Sequence, residues 1–171
     1  MAGQGAFIPI TITVDGVEIV SRRLATWGAR IDDLSLAWEQ IGEDLLADFR
    51  QNFDYEGDLL DKQDDGWAAL ADATVLDRTR RGFGGEHPIL VRAGDLQASV
   101  TARGAPGNVF DVRADSLSVG SEDARAGYHQ WGTSRMPARP IVGISWARRS
   151  GIVDRLNTYI QAQARQQGLM P

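Results

Sequence analysis

LSLAWEQIGEDLLADFRQNF, residues 34–53, decides the architecture. Leu34, Trp38, Ile41, Leu45, Phe49 and Phe53 recur at spacings of four and three. With about 3.6 residues per helical turn, they form one unbroken apolar stripe. Asp32, Asp33 and Ser35 are N-cap candidates, and the two carboxylates suit the positive end of the helix dipole. A stripe this bulky predicts burial against a sheet, as core rather than as a cofactor box.

Upstream, Ile8, Ile10, Ile12 and Val14 alternate with Pro9, Thr11 and Thr13 and run into Asp15-Gly16. Period two predicts a half-buried strand, and the missing donor of Pro9 puts it at a sheet edge. A short amphipathic helix is expected over residues 17–29. Downstream, DYEGDLLDKQDDG (54–66) reads as an acidic, mobile loop. A second short helix begins near Asp72. Gly82, Gly84 and Gly85 then break the pattern, so TRRGFGGEHP makes 78–88 a mobile basic loop. After an apolar stretch, NVFDVR (108–113) and SLSVGS (116–121) predict two strands joined by a turn. The last helix is expected from about Ser145, with Trp146, Val153, Leu156 and Ile160 as its stripe. A polar tail follows over 162–171. No repeat or boundary divides the chain, so residues 1–171 read as a single domain. The class is α+β: a small antiparallel sheet with the long amphipathic helix and the C-terminal helix packed on it.

At 171 residues the chain can bury a real core. With no cysteine it has neither a disulfide framework nor a thiolate metal site. The N-terminal MAGQGAFIPITITV lacks a basic region and a long apolar run, so a signal peptide is not expected. No stretch has the apolar length of a membrane helix, and the expectation is a protein made in a cytoplasm, without a membrane partner. Charge is unevenly spread. Residues 32–77 hold 14 acids against two bases, whereas residues 78–171 hold 13 arginines against seven acids. Pairing of the two halves within one fold is the simpler expectation; head-to-tail association between copies is the sharper one.

Candidate chemistry is sparse. Asp61, Gln63, Asp65, Gly66 and Asp72 have the spacing of a twelve-residue calcium loop. Gln at the third position and a short Asp at the twelfth spoil the ligand set, so no metal is expected. With two histidines, His87 and His129, and no G-x-S-x-G elbow, neither a zinc site nor a serine triad is recognisable. GFGGEHP lacks the Lys-Ser/Thr of a P-loop. No cofactor and no catalytic residue are expected. A small metal-dependent hydrolase using His129 is the weaker alternative. Arg78, Arg80 and Arg81, beside Phe83, are candidates for contact with passing DNA or a partner, without any sequence-reading motif.

Several motifs occur together and in order. They are Arg50-Gln51-Asn52-Phe53, then Asp65-Gly66-Trp67-Ala68-Ala69-Leu70 with Thr74 nearby, then Ile89-Leu90 with Gly94, Leu96 and Ser99. Val119-Gly120-Ser121 follows, then His129-Gln130-Trp131-Gly132, and last Pro137-Ala138-Arg139-Pro140-Ile141-Val142-Gly143. This set resembles the phage virion-morphogenesis, or tail-completion, proteins of tailed bacteriophages. One departure is Arg125, four residues before the histidine, where relatives carry tyrosine.

The resemblance implies a structural virion protein, not an enzyme, at the tail–head joint. It would complete the tail and help join it to the head. Its partners would be copies of itself in a ring, commonly six-fold, around the DNA channel, with the tail tube or tail terminator protein and the head connector proteins. Another neck component, a tail terminator or head-closure protein, is the alternative. Within GYHQWGTSRMPARPIVGIS (127–145), the resemblance makes His129, Gln130, Trp131, Gly132, Pro137, Arg139 and Pro140 structural or subunit-interface residues. His129 and Gln130 are expected to hydrogen-bond neighbouring backbone, Trp131 to fill a core edge, and Gly132 to permit a turn. Pro137 and Pro140 stiffen an extended segment. Arg139 between them would then meet a carboxylate, with the acidic 54–65 loop as candidate partner.

Overall fold

The computed structural model describes residues 8–13, 33–57 and 66–166. The helix expected at 17–29, and Asp61, Gln63 and Asp65 of the calcium spacing, lie outside them. Among the described residues the order is β1 (Ile8–Thr13), α1 (Ser35–Asp54), α2 (Asp72–Arg80), α3 (Asp95–Thr101), β2 (Asn108–Val112), β3 (Ser116–Ser121), α4 (Ala124–Trp131) and α5 (Trp146–Gln166). The class is α+β, as the periodicities predict.

α1 forms where its stripe demands. Trp38, Ile41, Leu45, Phe49 and Phe53 are buried along it. At its start the Asp33 carboxylate accepts the Ser35 N–H at 2.8 Å, satisfying one orphan donor of the first turn. The Leu34 N–H donates to the Ala114 carbonyl at 2.8 Å, which ties the helix entry to the β2–β3 turn.

The strands form an antiparallel sheet in the order β1-β3-β2. β1 lies at an edge, where Pro9 costs the ladder least. The register sets Ile10, Val119 and Phe110 in one row across the sheet. These face α1 and the core, with Val119 and Leu117 fully buried. The next row, Thr11, Ser118 and Asp111, faces the other way, and the Thr11 and Ser118 hydroxyls meet at 3.2 Å. Gly42 sets how closely helix and sheet approach. A Cβ there would stand 2.5 Å from Cζ of Phe110.

α3 and α4 were not expected from the sequence. α3 brings Ser99 beneath the sheet, where the buried Ser121 hydroxyl donates to that of Ser99 at 2.9 Å. The Ser99 hydroxyl passes on to the Leu96 carbonyl at 2.8 Å. Two motif serines that are 22 residues apart thus form one buried chain of hydrogen bonds.

α5 begins where expected, capped by the Ser145 hydroxyl, which accepts the Arg148 N–H at 3.1 Å. Its stripe needs correcting. Ile152, Leu156 and Ala164 are buried and Ile160 is half-buried, whereas Trp146 and Val153 face solvent. Leu156 and Ile160 fit either of two neighbouring faces, and packing on α1 selects the one that includes Ile152. The helix runs on to Gln166, past the start of the expected polar tail, because Ala164 packs inward.

Much of the charge asymmetry is consumed inside the chain. Arg103 meets Glu39 at 2.7 Å and Glu43 at 3.2 Å. Arg148 clasps Asp48 through two nitrogens at 2.5 and 2.6 Å and reaches Asp44 at 3.3 Å. Arg155 meets Asp44 at 2.7 Å. The acidic face of α1 is thereby covered by arginines from the later half of the sequence.

Candidate functional site: a latch between the two halves of the chain

The motif residues of 129–142 converge on an internal latch. The extended backbone of 139–142 runs beside α4, with Arg139 N–H donating to the His129 carbonyl at 2.6 Å. Gln130 completes the pairing with its side chain. Its Oε1 accepts the N–H groups of Ile141 and Val142 at 2.9 and 3.1 Å, and its Nε2 donates to the Val142 carbonyl at 3.0 Å. One glutamine amide thus does what a neighbouring strand would do, and buried backbone groups are satisfied.

From the other side come α1 and the segment after it. Asn52 Nδ2 and Trp67 Nε1 both donate to the Pro140 carbonyl, at 3.1 and 2.9 Å. Trp67 stands edge-on to Phe53, ring centroids 5.3 Å apart. Arg139 then reaches back. Its Nε donates to the Ala68 carbonyl and its Nη2 to the Ala69 carbonyl, both at 2.7 Å. It is 4% exposed, and burial lowers its pKa. Residues 58–65 of the acidic loop offered as its partner lie outside the described residues. Among the described residues Arg139 meets no carboxylate and instead binds two backbone carbonyls of its own chain. Its five donors in a planar fork suit two successive carbonyls as well as they suit a carboxylate. Pro137 is exposed and Pro140 half-buried, flanking the arginine as the stiffening role requires.

Gly132 closes α4 at φ 70°. A Cβ there would lie 2.7 Å from the Ala138 nitrogen, so the turn demands glycine on both counts. Thr133 and Met136 pair beyond it. Trp131 does not fill a core edge: it is 74% exposed, because α4 turns Ala126 and Gly127 inward and leaves Trp131 on an outer flank. His129 only half follows expectation. Its carbonyl is used, but its ring Nδ1 is buried with no hydrogen-bond partner. Burial first, then the positive charges of Arg139 and Arg125, depress its pKa against a weaker pull from Asp123, so the ring is neutral at pH 7.

The arginine trio separates. Arg78 is buried, and its Nη2 donates to the carbonyls of Pro88, Val91 and Phe83 at 3.0, 3.3 and 3.4 Å. It is a clamp for the 83–91 segment and cannot also face DNA. Arg81 is exposed and pairs with Asp77 at 2.8 Å. Arg80 is exposed and forms no ion pair among the described residues. The same segment is fastened at Glu56, whose carboxylate accepts the Ile89 N–H at 2.8 Å and meets His87 at 2.7 Å.

Gln130 bonds neighbouring backbone as expected from the sequence, whereas Asn52 was missed as the second backbone clamp. The only trace of Asn52 was that it lies inside a motif. Among the described residues no helix is long and apolar enough to cross a membrane. The family model for the phage virion morphogenesis family matches residues 15–161. No curated protein and no solved structure gives a significant match.

Proposed function

We propose, for a chain that belongs to the phage virion morphogenesis family, that it completes the phage tail and joins it to the DNA-filled head as a ring around the DNA channel. Membership makes it a protein of phage particle construction; position and ring are our reading. The observation that carries this reading is the extent of the family match, which spans the helix α1, the strands β2 and β3 and the latch together. The latch supports a scaffold role. Its most constrained polar groups, Arg139, Gln130 and Asn52, are spent on backbone carbonyls and amides of the same chain. With these groups turned to the chain's own backbone, we assign no catalytic residue and no cofactor. Tail tube or tail terminator protein would meet one face of the ring, and head connector proteins the other. Of the basic residues, Arg80 and Arg81 stay available for contact with passing DNA, and Arg78 does not.

The test is a phage lacking this chain. Filled heads and finished tails should accumulate apart, and purified protein added to the mixture should restore joined particles. Joined particles forming without the chain would refute the completion role. Imaging the neck by cryo-electron microscopy tests the ring: a single isolated copy there would sink it.

A further inference from the structure

A cleft of about 480 Å³ opens between α2, α3 and α4. Leu70, Phe83, Leu90 and Leu96 give it an apolar lining, Arg92 brings a guanidinium to it, and Arg125, its guanidinium clasped by Asp123, also lines it. Arg92 already lies over the Phe83 ring, 4.9 Å from its centroid. Arg78 and His129 also line the cleft, and each holds a buried nitrogen with no hydrogen-bond partner.

The matching shape sits on the same helix. Residues two apart on an α-helix point about 160° apart. His129 turns toward the cleft, and Trp131 leaves α4 on the opposite flank, 74% exposed. The backbone behind that indole is pinned by Gly132 and by the latch. Near it, Arg135 is exposed and without an ion pair among the described residues, while Asp95 at the cleft is exposed and likewise unpaired.

We propose that Trp131 of one copy seats in this cleft of a second copy. An indole fits the cleft's chemistry better than an aliphatic side chain does. Its body meets the leucines, its face is the best aromatic partner for the arginines, and its N–H can reach a carboxylate at Asp77 or Asp95. Arg135 travels with it and brings positive charge toward those acids. Knob and hole lie on different faces, so the contact is heterologous: it propagates head to tail and ends in a ring when the rotation closes. Closure rests on the ring reading above; the pairwise contact does not.

The experiment uses the intact chain and two variants, Trp131→Ala without the knob and Ala93→Phe with the cleft filled. Ala93 lines the cleft and is exposed, so both substitutions are at the surface. Sedimentation velocity over a concentration series should show association of the wild type. Each variant alone should associate at least about thirtyfold more weakly, as loss of a central tryptophan contact implies. An equimolar mixture should form a dimer and nothing larger, since it holds one usable knob and one usable hole per pair. Association undiminished in either variant overturns the contact and leaves the ring reading standing. So does a wild type that stays monomeric at every attainable concentration, or a mixture of well-folded variants that forms no dimer. A Trp131→Ala chain that still self-associates but no longer joins heads to tails assigns the indole to a different protein, and overturns it too. A single copy at the neck, with knob-dependent dimers in solution, sinks the ring alone.

Discussion

Two sets of arginines tie the early half of this chain to the late half, and they do it in opposite ways. Arg103, Arg148 and Arg155 cover the acidic face of α1 with ion pairs that water can reach. Arg139 is buried and meets no carboxylate among the described residues, only the carbonyls of Ala68 and Ala69. Exposed pairs are screened and trade one hydrated state for another, so each contributes little. A buried guanidinium has lost its water, and its two hydrogen bonds hold a fixed geometry. The charge asymmetry drew the sequence reading toward ion pairs, yet the larger stake lies where charge is not paired with charge.

That contrast can be broken by measurement. Arg139→Ala should lower stability by about 3 kcal/mol, or roughly 6–12 °C in Tm for a chain of this size. The loss should be insensitive to salt. An unmoved melt with failed head–tail joining would instead make Arg139 an interface residue. Gln130→Ala removes three hydrogen bonds to the 141–142 backbone. About 2 kcal/mol is expected, because water reaches only part of what it leaves behind. Arg148→Ala should cost about 1 kcal/mol, shrinking as salt is raised, since its clasp of Asp48 is partly exposed. A salt-independent loss as large as that of Arg139 would erase the distinction. Arg103→Ala, on the outermost pair, should cost less still and vanish soonest as salt is raised.

The smallest effect is a pH slope. The pKa of His129 is depressed below its ordinary 6.5. The unfolded chain therefore takes up a proton before the native chain does, and stability falls as pH drops below about 6.5. The loss stops growing once the native ring itself protonates. A His129→Gln variant, melted over the same range, should lose this part of the slope. A slope identical to that of the wild type would show the ring to be freely solvated.

α1 and the β2–β3 pair were legible because their apolar periods are long or alternate cleanly. α3 and α4 were not. Seven residues of DLQASVT and eight of ARAGYHQW carry too few apolar positions to show a helical period, and tertiary packing decides them. The latch was half legible. The prolines around Arg139 announced a stiff segment, but its partners are 70 and 71 residues away and are carbonyls, which every residue has. Trp131 was misread because a tryptophan beside a glycine looks like core. Only the turn made at Gly132 shows that it faces out. Arg78 was misread for the complementary reason: a cluster of basic residues looks like surface, and nothing in its composition reveals three converging carbonyls.

The latch also bears on how the protein is made. Asn52 and the Pro140 carbonyl it holds are 88 residues apart. At a synthesis rate of roughly 5–20 residues per second, a ribosome takes about 4–18 s to deliver the second after the first. Until β3 emerges at Ser121 the stripe of Trp38, Phe49 and Phe53 lacks its sheet, and until Pro140 it lacks its clamp. A nascent chain of this kind is the form on which chaperones and proteases act, and its apolar helix is already complete when they meet it.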